Sequence, residues 1–325
     1  MRLFRQTQEI DKTSHFREGE ILLTSHNFQH EWPRATFWTT ISNGNDLLMA
    51  AEIHKTWNDV ASHWDDWGPP LRPCLEDIQM MRDRVAGWLA TNPVEKLRVF
   101  LCGVTPEIVT MDWPQPIELT AMDQSQRMID AVWPGDIPGV RRATVGNWLK
   151  PGLAENSYDI AFNDGGFGFF EHPSGLRELL SSIRSLIRPD GLFVGRNFVQ
   201  AEQRESLAAV LDAARSGMIG SFHSFKWRLA TALQPSVVEG IRQHDIWQAW
   251  TEAGIDPTQL PQPGWSARAV GTIEFYRDKP AILRFPTLSE FLELMHESFE
   301  EIEVAYGHYE LSDRCPIVTA HPKVF

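Results

Sequence analysis

The chain has 325 residues, 42% of them hydrophobic and 22% charged. That is enough apolar material for a sizeable core, and it excludes a disordered chain, a collagen-like repeat and a disulfide-stapled miniprotein. Thirty Lys and Arg against 43 Asp and Glu leave a net charge of −13 at pH 7, which repels phosphate backbones and sets nucleic acid aside as a general partner, a local basic groove excepted.

Cys74, Cys102 and Cys315 are scattered, with no C-x-x-C pair and no even disulfide framework. A reducing compartment follows. The start, MRLFRQTQEIDKTSHF, has no apolar core of signal-peptide type. No stretch reaches the ~18 consecutive apolar residues of a membrane span. These features predict a soluble, cytoplasmic protein with no membrane partner. The sequence leaves a homo-oligomer open.

In chain order, two β-like pieces, Glu20–Thr24 and Ala35–Ile41, flank a polar stretch with His26 and His30. A Trp-rich segment, His54 to Pro73, is broken by Gly68-Pro69-Pro70 and Arg72-Pro73. Leu75, Ile78, Met81, Val85, Trp88 and Leu89 then recur at helical spacing, predicting a helix from Leu75 to Ala90. From Leu97 to Phe198 strands alternate with helices. The strands are Leu97–Leu101, Ile117–Met122, Val140–Val145, Tyr158–Phe162 and Leu192–Asn197; the helices open at Thr105-Pro106, run from Ser125 to Trp133, and from Leu176 to Ile187. Helical patterns at Gln203–Arg215, Phe225–Leu233 and Val237–Ala253 break that rhythm, followed by a β-like Ala269–Tyr276. A helix from Thr287 to Phe299 and two strands, Glu301–Tyr306 and Pro316–Ala320, end the chain. The Gly307–Cys315 link is too short for a helical crossover, so this last pair is antiparallel.

The predicted fold class is therefore α/β: a doubly wound, mostly parallel sheet with a reversed C-terminal edge strand, plus an N-terminal extension and a helical insert. The domain boundaries follow. Residues 1–72 form an N-terminal extension and a lid. Residues 73–199 and 286–325 form a cofactor-binding core. Residues 200–285 form a mainly helical insert suited to acceptor recognition.

In open α/β sheets ligands bind at the carboxyl ends of the strands. There stand Gly103-Val104-Thr105-Pro106 after the first strand, Asp123 after the second, Gly146-Asn147-Trp148 after the third and Asn163-Asp164-Gly165-Gly166 after the fourth. Gly103 admits a close backbone approach, and the helix start behind it offers free N–H groups. Asp123 lies twenty residues beyond Gly103, an offset that suits a carboxylate accepting from a ribose diol. Each feature alone has a plainer reading: a turn glycine, a helix N-cap, a core tryptophan. Four in order at one sheet edge carry the argument.

With these residues the sequence resembles the class I S-adenosylmethionine-dependent methyltransferases of small-molecule type. The resemblance covers about 97–199 and 287–322. It rests on LRVFLCGVTPEI (97–108), IELTAMDQS (117–125), TVGNWLKPGLAENSYDIAFNDGG (144–166) and LIRPDGLFV (186–194). It implies a Rossmann-like fold and S-adenosyl-L-methionine as cofactor. Gly103, Val104 and Thr105 would lie at its methionine part, Asp123 at the ribose, Gln124, Asn147 and Trp148 at the adenine, and Asn163 near the sulfonium. HWDDWGPPLRP resembles the family's N-terminal lid, with Trp64, Trp67 and Arg72 as closing residues; the alternative is a Trp-rich hinge packed on the first helix. Two positions depart from the family: Gly103 stands alone where several glycines are usual, and Leu101 replaces an acidic residue.

The predicted function is methyl transfer to a small-molecule substrate. Positioning supplies most of the rate in such a transfer, and His172 is the candidate catalytic base where the acceptor must lose a proton. A surface-loop histidine beside Pro173 is the alternative. Phe222, Phe225, Trp227, Trp247 and Trp250 wall an apolar pocket or form the insert's own core. His26 and His30 share a metal-ligand spacing only on a helix, and no Glu follows His26, so no metal site is expected. The alternative function is a catalytically inactive methyltransferase-fold protein that binds or assembles, which Leu101 and the single glycine favour. A nicotinamide dehydrogenase requires a G-x-G-x-x-G turn that residues 103–108 lack.

Overall fold

The structure, a computed structural model, describes residues 60–261 and 265–324. The β-like pieces at 20–41, His26 and His30 lie outside the described residues, as does most of the 1–72 extension.

Five parallel strands form the centre: β1 (Leu97–Cys102), β2 (Ile117–Asp123), β3 (Arg141–Val145), β4 (Tyr158–Asp164) and β5 (Ile187–Arg196). With β8 (Phe299–Ala305) and β9 (Ile317–Pro322) they make one seven-stranded sheet in the order β3-β2-β1-β4-β5-β9-β8. β9 runs antiparallel to both neighbours. The reversed strand thus slots between β5 and β8, leaving β8 as the physical edge.

Side-chain alternation explains the two buried faces. Val99 and Leu101 of β1, with Ile160 and Phe162 of β4, join one core with Met81, Val85 and Trp88 of α1 (Leu75–Thr91). Phe100 and Cys102, with Ala161 and Phe193, face the opposite core. There α4 (Ser174–Leu186) presents Leu176, Leu179, Leu180 and Ile183, the i, i+3, i+4, i+7 stripe of an amphipathic helix. α9 (Leu288–Ser298) lies beside it. Thr287 caps α9: its Oγ accepts the Glu290 N–H at 3.1 Å, while Glu290 Oε2 accepts the Thr287 N–H at 2.7 Å. Short helices α2 (Pro106–Val109) and α3 (Gln126–Val132) follow β1 and β2.

The insert departs from its sequence pattern in two places. The run expected as one helix from Val237 to Ala253 divides at Gly240, whose φ is +70°. A Cβ there would meet the Leu283 carbonyl oxygen at 2.6 Å. The chain turns into β6 (Ile241–Arg242), which pairs antiparallel with β7 (Ile282–Leu283), and α7 (Gln243–Ala253) begins only afterwards. The β-like Ala269–Tyr276 is instead helix α8 (Ala267–Gly271) running into a 3₁₀ turn, Thr272–Tyr276. Ser266 starts it by accepting the Ala269 N–H, and the buried pair Ile273 and Tyr276, three apart, matches the 3₁₀ repeat. Helices α5 (Leu207–Arg215) and α6 (Phe222–Leu233) complete the insert. No helix of the described residues is long and apolar enough to cross a membrane.

Candidate functional site

A cavity of about 280 Å³ opens at the carboxyl ends of β1, β2 and β4. Its floor comes from the core: Cys102 to Thr105, Asp123, Gln124, Trp148 and Asp164 to Gly166. Its roof combines Trp64, Trp67, Leu71 and Arg72 with insert residues Lys226, Trp227, Ala230, Gln243, Tyr276, Leu283 and Phe285. The expected site residues Gly103, Val104, Thr105, Asp123, Gln124, Trp148, Trp64 and Arg72 therefore meet in one space.

The floor follows from local chemistry. β2 ends at Asp123, whose Oδ1 accepts the Ser125 N–H at 2.8 Å as the chain turns into α3. Burial pushes the half-buried Asp123 carboxyl up to about 6, against the backbone N–H groups that favour its ionised form. Such a carboxylate gains from further donors. Gly103 holds a φ of +94°, a left-handed turn that glycine adopts without strain. Trp148 lies beside it and donates Nε1–H to the Met122 carbonyl at 2.6 Å. A Cβ on Gly166 would stand 2.8 Å from the Trp148 ring, and one on Gly165 2.5 Å from the Phe198 ring. The absence of side chains at these glycines lets both rings close on the cavity.

Three expected residues stand elsewhere. Asn147 turns back on its own loop, its Oδ1 accepting the Leu149 N–H at 2.9 Å. Asn163 is fully buried and accepts the Gly166 N–H at 3.2 Å, so it shapes the glycine turn beneath the cavity. His172 does not line the cavity. Both its ring nitrogens are buried without a hydrogen-bond partner, and burial lowers its pKa.

The segment from Trp64 to Arg72 is fastened by two arginines. Arg72 Nε donates to Glu107 Oε1 at 2.7 Å and Nη1 to the Trp64 carbonyl at 3.1 Å, with its guanidinium 4.8 Å from the Trp64 ring centre. Arg196, at the end of β5, is wholly buried; Nε donates to Asp164 Oδ1 at 2.7 Å and Nη1 to the Pro70 carbonyl at 2.7 Å, with Asp77 Oδ2 at 3.5 Å. Burial disfavours this cation, yet Asp164 and Asp77 outweigh it and hold its pKa above the ordinary guanidinium value. One buried arginine thus ties the fourth strand's tip to the chain at Pro70.

Sequence reasoning missed Lys226, Gln243, Tyr276 and Asp164 as cavity residues. Asp164 stands one position beyond the Asn163 that the strand-end argument chose. The others lie in an insert whose packing no local pattern reveals. Of the five insert aromatics, Trp227 lines the cavity. Phe222, Phe225 and Trp250 pack with Trp265 at ring-centre distances of 4.9 to 6.1 Å, and Trp247 stacks on His244. Among the described residues no group of three or more His, Cys, Asp or Glu side chains is gathered to hold a metal.

No protein-family model matches the chain, and no curated protein matches it. Solved structures do. A protein from Rhodobacter sphaeroides named "Putative Zn-dependent Alcohol Dehydrogenases" aligns with a TM-score of 0.54 at 13% identity, covering 88% of this chain and all of its own. The 1,6-didemethyltoxoflavin-N1-methyltransferase of Burkholderia thailandensis, solved with 1,6-didemethyltoxoflavin and S-adenosylhomocysteine, aligns at 0.46 and 13% identity over 90% of this chain and 99% of its own. A SAM-dependent methyltransferase from Methanosarcina mazei aligns at 0.42 and 13% identity over 72% and 96%. At 13% identity the likeness to the Rhodobacter sphaeroides protein is one of fold alone. With five parallel strands in the order 3-2-1-4-5 and a reversed strand slotted before the edge, the chain carries the Rossmann-like fold of the class I S-adenosylmethionine-dependent methyltransferases.

Proposed function

We propose that the protein is an S-adenosylmethionine-dependent methyltransferase acting on a small molecule. The observation that carries this reading is the half-buried Asp123 carboxylate at the β2 tip, in one cavity with the Gly103 turn and the Trp148 ring. A vicinal diol supplies the donors this carboxylate lacks. Gln124 and the flat face of Trp148 suit a purine beside it, and Arg72 with the Gly103–Thr105 turn suits an amino-acid carboxylate. Asn147 and Asn163 act by holding the two loops that present these groups.

The cofactor, when bound, supplies a methyl group already activated on a positive sulfur. The chain's own residues then have two tasks. Trp64, Trp67 and Arg72 close the cavity and exclude water. The aromatic roof, with Trp227 and Phe285 at 5.5 Å between ring centres and Phe198 edge-on to Trp227 at 4.1 Å, fixes a flat acceptor against the floor. Alignment of this kind is worth a large part of the barrier in a two-substrate displacement. The non-catalytic alternative retains one observation: Leu101 is fully buried in the core where an acidic residue would face the cofactor.

Calorimetric titration with S-adenosylhomocysteine tests the proposal. Hydrogen bonds to a charged partner contribute about 1.5–3 kcal/mol, so Asp123→Ala is expected to weaken binding by roughly ten- to a hundredfold. No binding to the wild-type protein refutes the reading. Binding without turnover on any acceptor of a metabolite panel selects the non-catalytic alternative.

A further inference from the structure

Lys226 is a charged side chain in an uncharged place. It stands on α6, is 2% exposed, and lines the cavity roof. Its Nζ donates to Thr272 Oγ1 at 2.9 Å and sits 3.8 Å from the Trp67 ring centre and 5.0 Å from that of Tyr276. Thr272 Oγ1 in turn donates to the Ala269 carbonyl at 2.6 Å. Among the described residues no carboxylate pairs with Lys226. One hydroxyl and two ring faces are meagre compensation for an ammonium taken out of water. Burial accordingly drives its pKa well down.

The same wall holds further unmet donors. The indole N–H groups of Trp67 and Trp227 are buried with no acceptor, and both residues line the cavity. Against them stands one orphaned acceptor there, Gln243 Oε1. Buried polar groups are nearly always satisfied in a functioning state, so this wall is short of acceptor atoms. A flat apolar ring is what the surrounding Tyr276, Phe285 and Leu283 accommodate.

We propose that the insert-side half of the cavity takes a small aromatic acid, its carboxylate paired with Lys226 Nζ between the Trp67 and Tyr276 rings. The assignment rests on the methyl-transfer reading only in calling this ligand the methyl acceptor. Within that reading the anion has a second effect. A positive sulfur and an ammonium in one water-poor cavity repel each other, and a carboxylate between them relieves both.

The test uses the full chain, with benzoate and 1-naphthoate as probes and benzamide and 1-naphthamide as their neutral counterparts. The acids are expected to bind the wild-type protein at least about tenfold more tightly than the amides, as suits a charge-assisted contact. Lys226→Met should bring the acids to the amide level. A wild-type measurement stands independently of how that variant folds. Equal affinity for acid and amide, or no binding of either, overturns the assignment. Failure of S-adenosylhomocysteine to bind, with the acid preference intact, overturns the methyl-transfer reading instead.

Discussion

Replacing Arg196 by Met removes the cation that joins β5, the β4 tip and the segment around Pro70. In the native protein its guanidinium serves Asp164, Asp77 and the Pro70 carbonyl with no exposure to solvent. In the variant two buried carboxylates face each other. Asp164 keeps a long contact from Thr105 Oγ1 at 3.4 Å; Asp77 keeps the Tyr309 hydroxyl at 2.8 Å and the Cys74 N–H at 2.9 Å. Breaking a buried pair by removing one partner costs about 3–5 kcal/mol. With a urea slope of about 3 kcal/mol per molar, the unfolding midpoint followed by tryptophan fluorescence should fall by about 1–2 M. The loss has a predictable pH dependence. Burial already pushes the Asp164 carboxyl up, and Arg196 opposes it; without the arginine the folded-state pKa rises further above the unfolded value. A carboxyl of raised folded pKa favours the folded state in acid and costs stability as pH climbs from about 4. The deficit of Arg196→Met should therefore be greatest near neutrality and shrink on acidification. A loss below about 1 kcal/mol, the scale of a surface pair, or a deficit that ignores pH would falsify the view that this arginine holds the β4 tip, Asp77 and the Pro70 carbonyl together.

Three further outcomes follow from the same geometry. S-adenosylhomocysteine affinity should decline as the pH falls through about 6, because only the ionised Asp123 accepts from both ribose hydroxyls and its carboxyl titrates there; Asp123→Asn should bind weakly at every pH, and a wild-type profile flat from pH 5 to 8 contradicts this. Gly165→Ala should destabilise by about 1–3 kcal/mol in chemical unfolding, since φ is +66° and the new Cβ meets Phe198 at 2.5 Å; a neutral result means the ring swings freely. His172→Gln should leave S-adenosylhomocysteine affinity within about twofold, as for residues away from a site, because His172 does not line the cavity; a larger change would return it to the binding machinery.

The sheet was legible because its signals are local. Leu97–Cys102 and Tyr158–Asp164 are short apolar runs ended by polar or glycine residues, and the short Gly307–Cys315 link leaves no room for a parallel crossover. Asp123 and Gly103 were found because strand ends are where ligands bind. The insert was opaque for a different reason. Gly240 needs a positive φ because β7, more than forty residues away in sequence, packs on it. Lys226 reads as an ordinary helix-surface residue until α6 is laid under Trp67 and Tyr276. His172 was chosen for its nearness in sequence to the β4 loop, and Asn163 for its place at the strand end. Side-chain direction decides the second: adjacent strand residues point to opposite faces, and Asp164 is the one that lines the cavity.

The central claim is that a nucleoside rests across the tips of β1, β2 and β4. A crystal structure grown with S-adenosylhomocysteine addresses it most directly. The account predicts the ribose hydroxyls on the Asp123 carboxylate, the purine against Trp148 and the amino-acid end beside Gly103 and Arg72. A cleft without the nucleoside, or a nucleoside bound elsewhere on the molecule, contradicts it.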